Sequence, residues 1–244
     1  MIKKLGFEMM IPLLLTTILS SNAFGKIVNE DRSVMGFDQI ELSGYGEVIL
    51  TQGTREGLTV EADEDIISEI KSNVRNGTLY LDVENTHWIK NPWKSSTSGI
   101  KYYIMMKNVR GFSISGSGEM TSEHIETDHL TIQISGSGNI EIKSLESQEI
   151  NLNISGSGNC NLAGEVGFQK IIISGSGAYS GERLDSDAAI IVVSGSGEAS
   201  VRVKEEIDVQ ISGSGDVKYA GEPKEVSLQS SGSGTVQKIG GGWK

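Results

Sequence analysis

The stretch "ISGSGNIEIKSLESQEINLNISGSGNC", residues 134–160, writes Ser-Gly-Ser-Gly twice with sixteen ordinary residues between the copies. Each glycine held in a regular element costs roughly 0.5–1 kcal/mol relative to alanine, so something must offset the expense. The same tetrapeptide starts at Ser115, Ser135, Ser155, Ser174, Ser194, Ser212 and Ser231, at spacings of 18 to 20 residues. A flexible linker would not keep that register. A phosphate-binding loop would occur once and open a helix. A nearly fixed period instead marks a repeat architecture, in which each unit buries its apolar face against its neighbours.

The flanks define the unit. Immediately before the first serine stand Ile114, Ile134, Ile154, Ile173, Val193 and Ile211, and two residues earlier Phe112, Ile132, Leu152, Ile171, Ile191 and Val209. Polar residues such as Gln133, Asn153 and Gln210 lie between them, which is the period-two pattern of a strand with one buried face. Alternation resumes after the turn with Met120, Ile140, Cys160, Tyr179, Ala199 and Val217. Gly181 breaks it, and Ile172 and Val192 make the outer face of the middle repeats apolar. Each repeat therefore reads as strand, turn, strand and a variable polar connection. Coils stacked about 4.8 Å apart would align equal positions in columns. The pattern predicts an all-β fold, a parallel β-helix (β-solenoid) of 19–20-residue repeats. Leucine-rich repeats and propeller blades fit the signature less well.

In this reading the turns rest on Gly116 and Gly118, Gly136 and Gly138, Gly156 and Gly158, Gly175 and Gly177, Gly195 and Gly197, Gly213 and Gly215, and Gly232 and Gly234. They would let the backbone turn where side chains collide. The serine hydroxyls are expected to bond to the backbone of the turn or of the next coil.

Outside the repeats, the opening "MIKKLGFEMMIPLLLTTILSSNAFGK" has a basic start, a short apolar run from Met9 to Leu19 and the small residues Ser21-Asn22-Ala23. It reads as an export signal over residues 1–23. The run is too short to span a bilayer of about 30 Å, and no cysteine near its end suggests a lipid anchor. Residues 37–110 read as an N-terminal α+β cap or flanking region, with a degenerate motif at Ser43-Gly44-Tyr45-Gly46. In it, "ADEDIISEIKSNV", residues 62–74, reads as a helix with Ile66, Ile67, Ile70 and Val74 on one face. Residues 111–239 are the solenoid, its last repeat polar enough for a terminal rung, and 240–244 a tail. A net charge of −11 with no basic stripe argues against nucleic acid. The single cysteine, Cys160, allows no internal disulfide and reads as a small core residue.

Beyond this pattern, "FDQIELSGYGEVILTQG", "LTVEAD", "VRNGTLYLDVEN", "YIMM" and the serial "ISGSG" resemble the autotransporter adhesin head GIN domain family over residues 37–235. The resemblance implies an exported protein of the Bacteroidetes type, a right-handed parallel β-helix and an adhesin role. It supplies no catalytic motif. No run of membrane strands follows the repeats, so self-translocation is not expected.

No catalytic, cofactor or metal site stands out. "EHIETDH", residues 123–129, places His124 and His129 among carboxylates, and His87 is the third histidine; a solvated charged loop explains them better than a metal. The residues after the turns, Glu119, Asn139, Asn159, Ala178, Glu198, Asp216 and Thr235, would form an oxygen-rich column. Calcium is the functional reading and a solvent-facing column the favoured one. Trp88, Trp93, Tyr102 and Tyr103 either pack the cap or stack sugars, packing being favoured. The leading expectation is a non-catalytic exported protein at the cell surface or in the periplasm, binding a glycan or protein partner through a solenoid face. One alternative is a polysaccharide-degrading β-helix enzyme using Glu182, Arg183, Asp185 and Asp187. The other is an envelope scaffold that self-associates as a homo-oligomer through Ile172, Ile190 and Val192.

Overall fold

The computed structural model describes residues 26–84 and 99–240. The expected export signal, His87, Trp88, Trp93 and residues 241–244 of the tail lie outside the described residues. No helix among the described residues is long and apolar enough to cross a membrane.

The N-terminal part contains β1 (Ile27–Arg32), β2 (Gln39–Gly44), β3 (Glu47–Gln52), β4 (Gly57–Asp63), β5 (Ile70–Arg75), β6 (Thr78–Val83) and β7 (Lys101–Met106). The repeats supply β8 (Gly111–Gly116), β9 (Glu119–Ser122), β10 (Ile125–Gly136), β11 (Asn139–Gly156), β12 (Asn159–Gly175), β13 (Ala178–Gly195) and β14 (Glu198–Gly213). The last coils are β15 (Asp216–Ala220), β16 (Glu225–Gly232) and β17 (Thr235–Lys238). The fold is a nearly all-β parallel solenoid. Successive repeats pair in parallel and in register, Ile134 opposite Ile114 and Ile154, and Ser135 opposite Ser115 and Ser155.

The degenerate motif is a corner of the same stack. β2 pairs in parallel with β8, Ser43 opposite Ser115, and β3 with β9. On their other side β2 and β3 pair in parallel with β6 and β7. There the direction changes: β5 runs antiparallel to β6, β4 to β7 and β1 to β4. With Val34, Phe37 and Ile66 buried beneath them, these strands close the N-terminal end.

The helix expected over 62–74 does not form. The segment makes a 3-10 turn at Ile67–Glu69 and then becomes β5. Asn76 and Gly77 both adopt positive φ, 51° and 80°, the geometry of a tight hairpin turn that matches strand twist. That turn zips β5 onto β6, Ile70 opposite Val83 and Val74 opposite Leu79. Arg32 fastens the turn by donating to the carbonyls of Ile67 at 3.0 Å and Ile70 at 2.6 Å.

The interior is a set of columns. Ile114, Ile134, Ile154, Ile173 and Val193 stack one above another, each at most 2 % exposed. Burial at about 25 cal/mol per Å² is what offsets the glycines. At the corners the chain leaves no room for a Cβ. Gly175 has φ +131°, and a Cβ there would sit 2.5 Å from the carbonyl oxygen of Gly156. A Cβ on Gly177 would sit 2.5 Å from Cγ2 of Ile154 and 2.6 Å from the Gly158 oxygen. The ladder nevertheless runs through the corner, Ser176 N–H donating to Gly156 at 2.8 Å and Ala178 N–H to Gly158 at 3.1 Å. The motif serines are exposed. Backbone amides, with no part for those hydroxyls, link the described corners, because the outward bend points the side chains to solvent.

Candidate functional site

The side wall of the solenoid is incomplete beside its early coils. β10 pairs with β11 from Ile125 onward, yet with β8 only from Thr131. The chain between β7 and β8 cuts the coil short, leaving an edge at residues 125–130. A groove of about 720 Å³ follows this edge, lined by Gln52, Lys107, Arg110, His124, Glu126, Asp128, Glu146 and Gln148 among others.

Gln52 bridges the edge of the groove to the neighbouring stretch of chain. Its side-chain amide donates to the carbonyls of Glu126 at 2.9 Å and Lys107 at 3.2 Å, and its oxygen accepts from Glu126 N–H at 2.8 Å. One side chain thus imitates a strand residue and satisfies an edge that otherwise costs unpaired polar groups. Thr127 Oγ1 donates to the Val109 carbonyl at 2.6 Å, and Gln148 Nε2 to Asp128 Oδ1 at 3.0 Å. What remains is an open trough whose lining includes Lys107, Glu126, Asp128 and Glu146, together with Arg110, which pairs with Asp38 at 3.5 Å. No sequence signal pointed to Gln52. Its contact with Glu126 spans 74 positions and exists only because the coils stack.

The sequence candidates are dispersed. His124 lines the groove with Nδ1 3.3 Å from Ser144 Oγ, whereas His129 pairs with Glu149, Nδ1 to Oε2, at 3.3 Å. Among the described residues no three His, Cys, Asp or Glu side chains converge as a metal-holding group. The oxygen-rich column bonds partly along itself: Asn159 donates to Asn139 at 2.9 Å. Thr235 donates to Asp216 through its hydroxyl and its backbone N–H at 2.6 and 3.0 Å. Those two bonds hold the Asp216 carboxyl below the usual range. In the acidic group, Asp185 pairs with Arg202 at 3.6 Å and Asp187 with Lys204 at 3.8 Å. These carboxylates face cations of the next coil. Ile172, Ile190 and Val192 are half-buried on the outer face.

Two groups belong to the interior. Cys160 is fully buried between Ile140 and Tyr179, and burial pushes its thiol well above the ordinary value. Tyr179 donates its hydroxyl to Gln169 Oε1 at 2.9 Å, Gln169 Nε2 donates to Ser186 Oγ at 2.7 Å, and Ser186 donates to the Arg202 carbonyl at 2.8 Å. Gly181 explains itself here: its Cβ would sit 2.6 Å from the Tyr179 hydroxyl. Tyr102 is likewise buried, over Gly46, while Tyr103 is 37 % exposed and its hydroxyl donates to Glu61 at 3.3 Å.

Residues 36–223 match the family described as "Putative auto-transporter adhesin, head GIN domain". Among solved structures, the chain is similar to a putative adhesin from Bacteroides fragilis, with 28 % identity and a TM-score of 0.81 over 89 % of this chain and 99 % of that one. It is also similar in fold to a putative lipid binding protein from Parabacteroides distasonis, at 23 % identity and TM-score 0.71, over 88 % and 97 % of the two chains. A putative adhesin from Parabacteroides merdae shares the fold at 17 % identity and TM-score 0.69, over 88 % and 97 %. No curated protein matches significantly.

Proposed function

The chain belongs to the auto-transporter adhesin head GIN domain family, and from that premise we propose that it is an exported, non-catalytic protein of the cell envelope that binds a glycan through the groove beside β10. The observation that carries the reading is the open polar trough of mixed charge bridged at its edge by Gln52, with Lys107, Arg110, Glu126 and Asp128 along it. Sugar hydroxyls both donate and accept, so cations and carboxylates together suit them. An open trough binds each copy weakly, and adhesion at a surface gains strength from many copies acting together. The export reading at the N-terminus and the adhesin family support an envelope location.

Catalysis is not favoured. A glycoside hydrolase needs two carboxyl groups flanking one bond, and Asp185 and Asp187 are matched to Arg202 and Lys204. The lipid-binding name of one relative draws little support from this open groove, whose lining side chains are polar or charged apart from Val109. The test is a glycan array followed by calorimetry on the hits. A Lys107→Ala, Glu126→Ala double variant should lose at least about tenfold in affinity, about 1.4 kcal/mol, with unchanged thermal unfolding. Unaltered affinity in that variant, or no hit on the array together with no binding to intact cells, would remove the proposal.

A further inference from the structure

Among the described residues, the core columns come to the surface at the C-terminal end. Val226 stacks on Ile207 and Leu228 on Val209. Ile207 and Val209 are fully buried, whereas Val226 and Leu228 are 46 % and 47 % exposed. β16 pairs with β14 alone and β17 with β15 alone, so each leaves one edge unpaired. Such an edge is a template for another strand. At the opposite end β1 and β5 also pair on one side only, but there the core residues Ile66, Ile70 and Leu79 stay buried, so the two ends are not equivalent.

We propose that this open end pairs with the same end of a second copy of the chain, β16 running antiparallel to its counterpart about a two-fold axis through Leu228. In that register Leu228 faces itself, Val226 faces Ser230, Ser227 faces Gln229 and Glu225 faces Ser231. Inward residues meet inward residues, and no charge meets a like charge, which would oppose pairing. The two-fold axis lies along the sheet normal, so both interiors stay on one side of a continued sheet.

Charge points to the same place. The chain carries −11 overall, which keeps copies apart. At this end two lysines offset part of that charge, Lys224 pairing with Glu205 and Lys238 with Glu222. A tail-to-tail contact also closes on itself, whereas a head-to-tail one would run on into filaments. β16 and β17 contribute 8 and 4 residues, fewer than the roughly 20–30 per side of a standard stable interface. The dimer is therefore weak and concentration-dependent.

Sedimentation of the purified protein over a wide concentration range tests this. The mass should rise toward twice the monomer, and Leu228→Lys, an exposed position, should weaken association at least about tenfold with an unchanged circular dichroism spectrum. Leu228→Cys, facing itself, should crosslink under mild oxidation; buried Cys160 does not compete. Ser180→Cys on a side face should not crosslink. A monomer at every concentration, or a dimer indifferent to both Leu228 variants, overturns the proposal. So does a chain that dimerises only when residues 241–244 are removed, since its own last residues would then be the cover.

Discussion

At the residue scale, the two glycines of a corner do different things. Gly175 needs a left-handed backbone and close approach to the coil beneath, while Gly177 needs space over an isoleucine of that coil. Gly175→Ala combines positive-φ strain with a backbone collision, and we expect a loss of roughly 2–4 kcal/mol. Gly53 has open space around its Cβ position and no positive φ, so Gly53→Ala should fall within about 0.5 kcal/mol of the parent. Urea midpoints of the two variants make the comparison; equal midpoints would contradict the corner reading. Tyr179→Phe should cost roughly 1–3 kcal/mol, because Gln169 Oε1 would lose its hydroxyl donor in a dry interior. The alternation placed Tyr179 inside from the sequence alone. The partner chain through Gln169 and Ser186 was not legible, because it crosses coils at positions with no common spacing.

At the element scale, two local signals competed over residues 62–74. Isoleucines at helical spacing argue for a helix, whereas Asn76 and Gly77, both at positive φ, form a tight hairpin turn. The hairpin prevailed because β6 had a parallel partner waiting in β2, whereas a lone helix would have had to find an apolar surface of its own. Arg32 then ties β1 to the 3-10 turn and β5 through Ile67, Ile70 and Ser72. Replacing Arg32 by Ala should free those carbonyls and raise amide exchange in 27–32 and 67–75, leaving β10 to β14 protected. Uniformly faster exchange would show instead that the N-terminal strands and the repeats unfold as one unit. The groove also arises at this scale. Nothing in the spacing announces that the chain skips a side wall between β7 and β8, since the skipped stretch carries no motif of its own.

For the whole molecule, the buried acids set the response to base. Burial pushes the Tyr45 hydroxyl up to about 12 and raises the Tyr179 hydroxyl and the Cys160 thiol well above their ordinary values. A raised folded value means that the unfolded chain releases these protons first. The stabilisation is complete below the unfolded values, about 8.5 for cysteine and 10 for tyrosine. It is lost progressively as pH climbs toward the folded values. The urea midpoint should therefore decline from about pH 9 upward, and Cys160→Ala should remove the earliest part of that decline; a flat profile to pH 11 in the parent would refute it. The strand-corner-strand unit and its columns were legible because stacking forces equal positions into equal environments, so periodicity in one dimension reports burial in three. Which residues share the groove and which carboxylates meet which cations were decided by tertiary structure alone. Those contacts join residues whose separation along the chain carries no information until the coils have been laid one upon another.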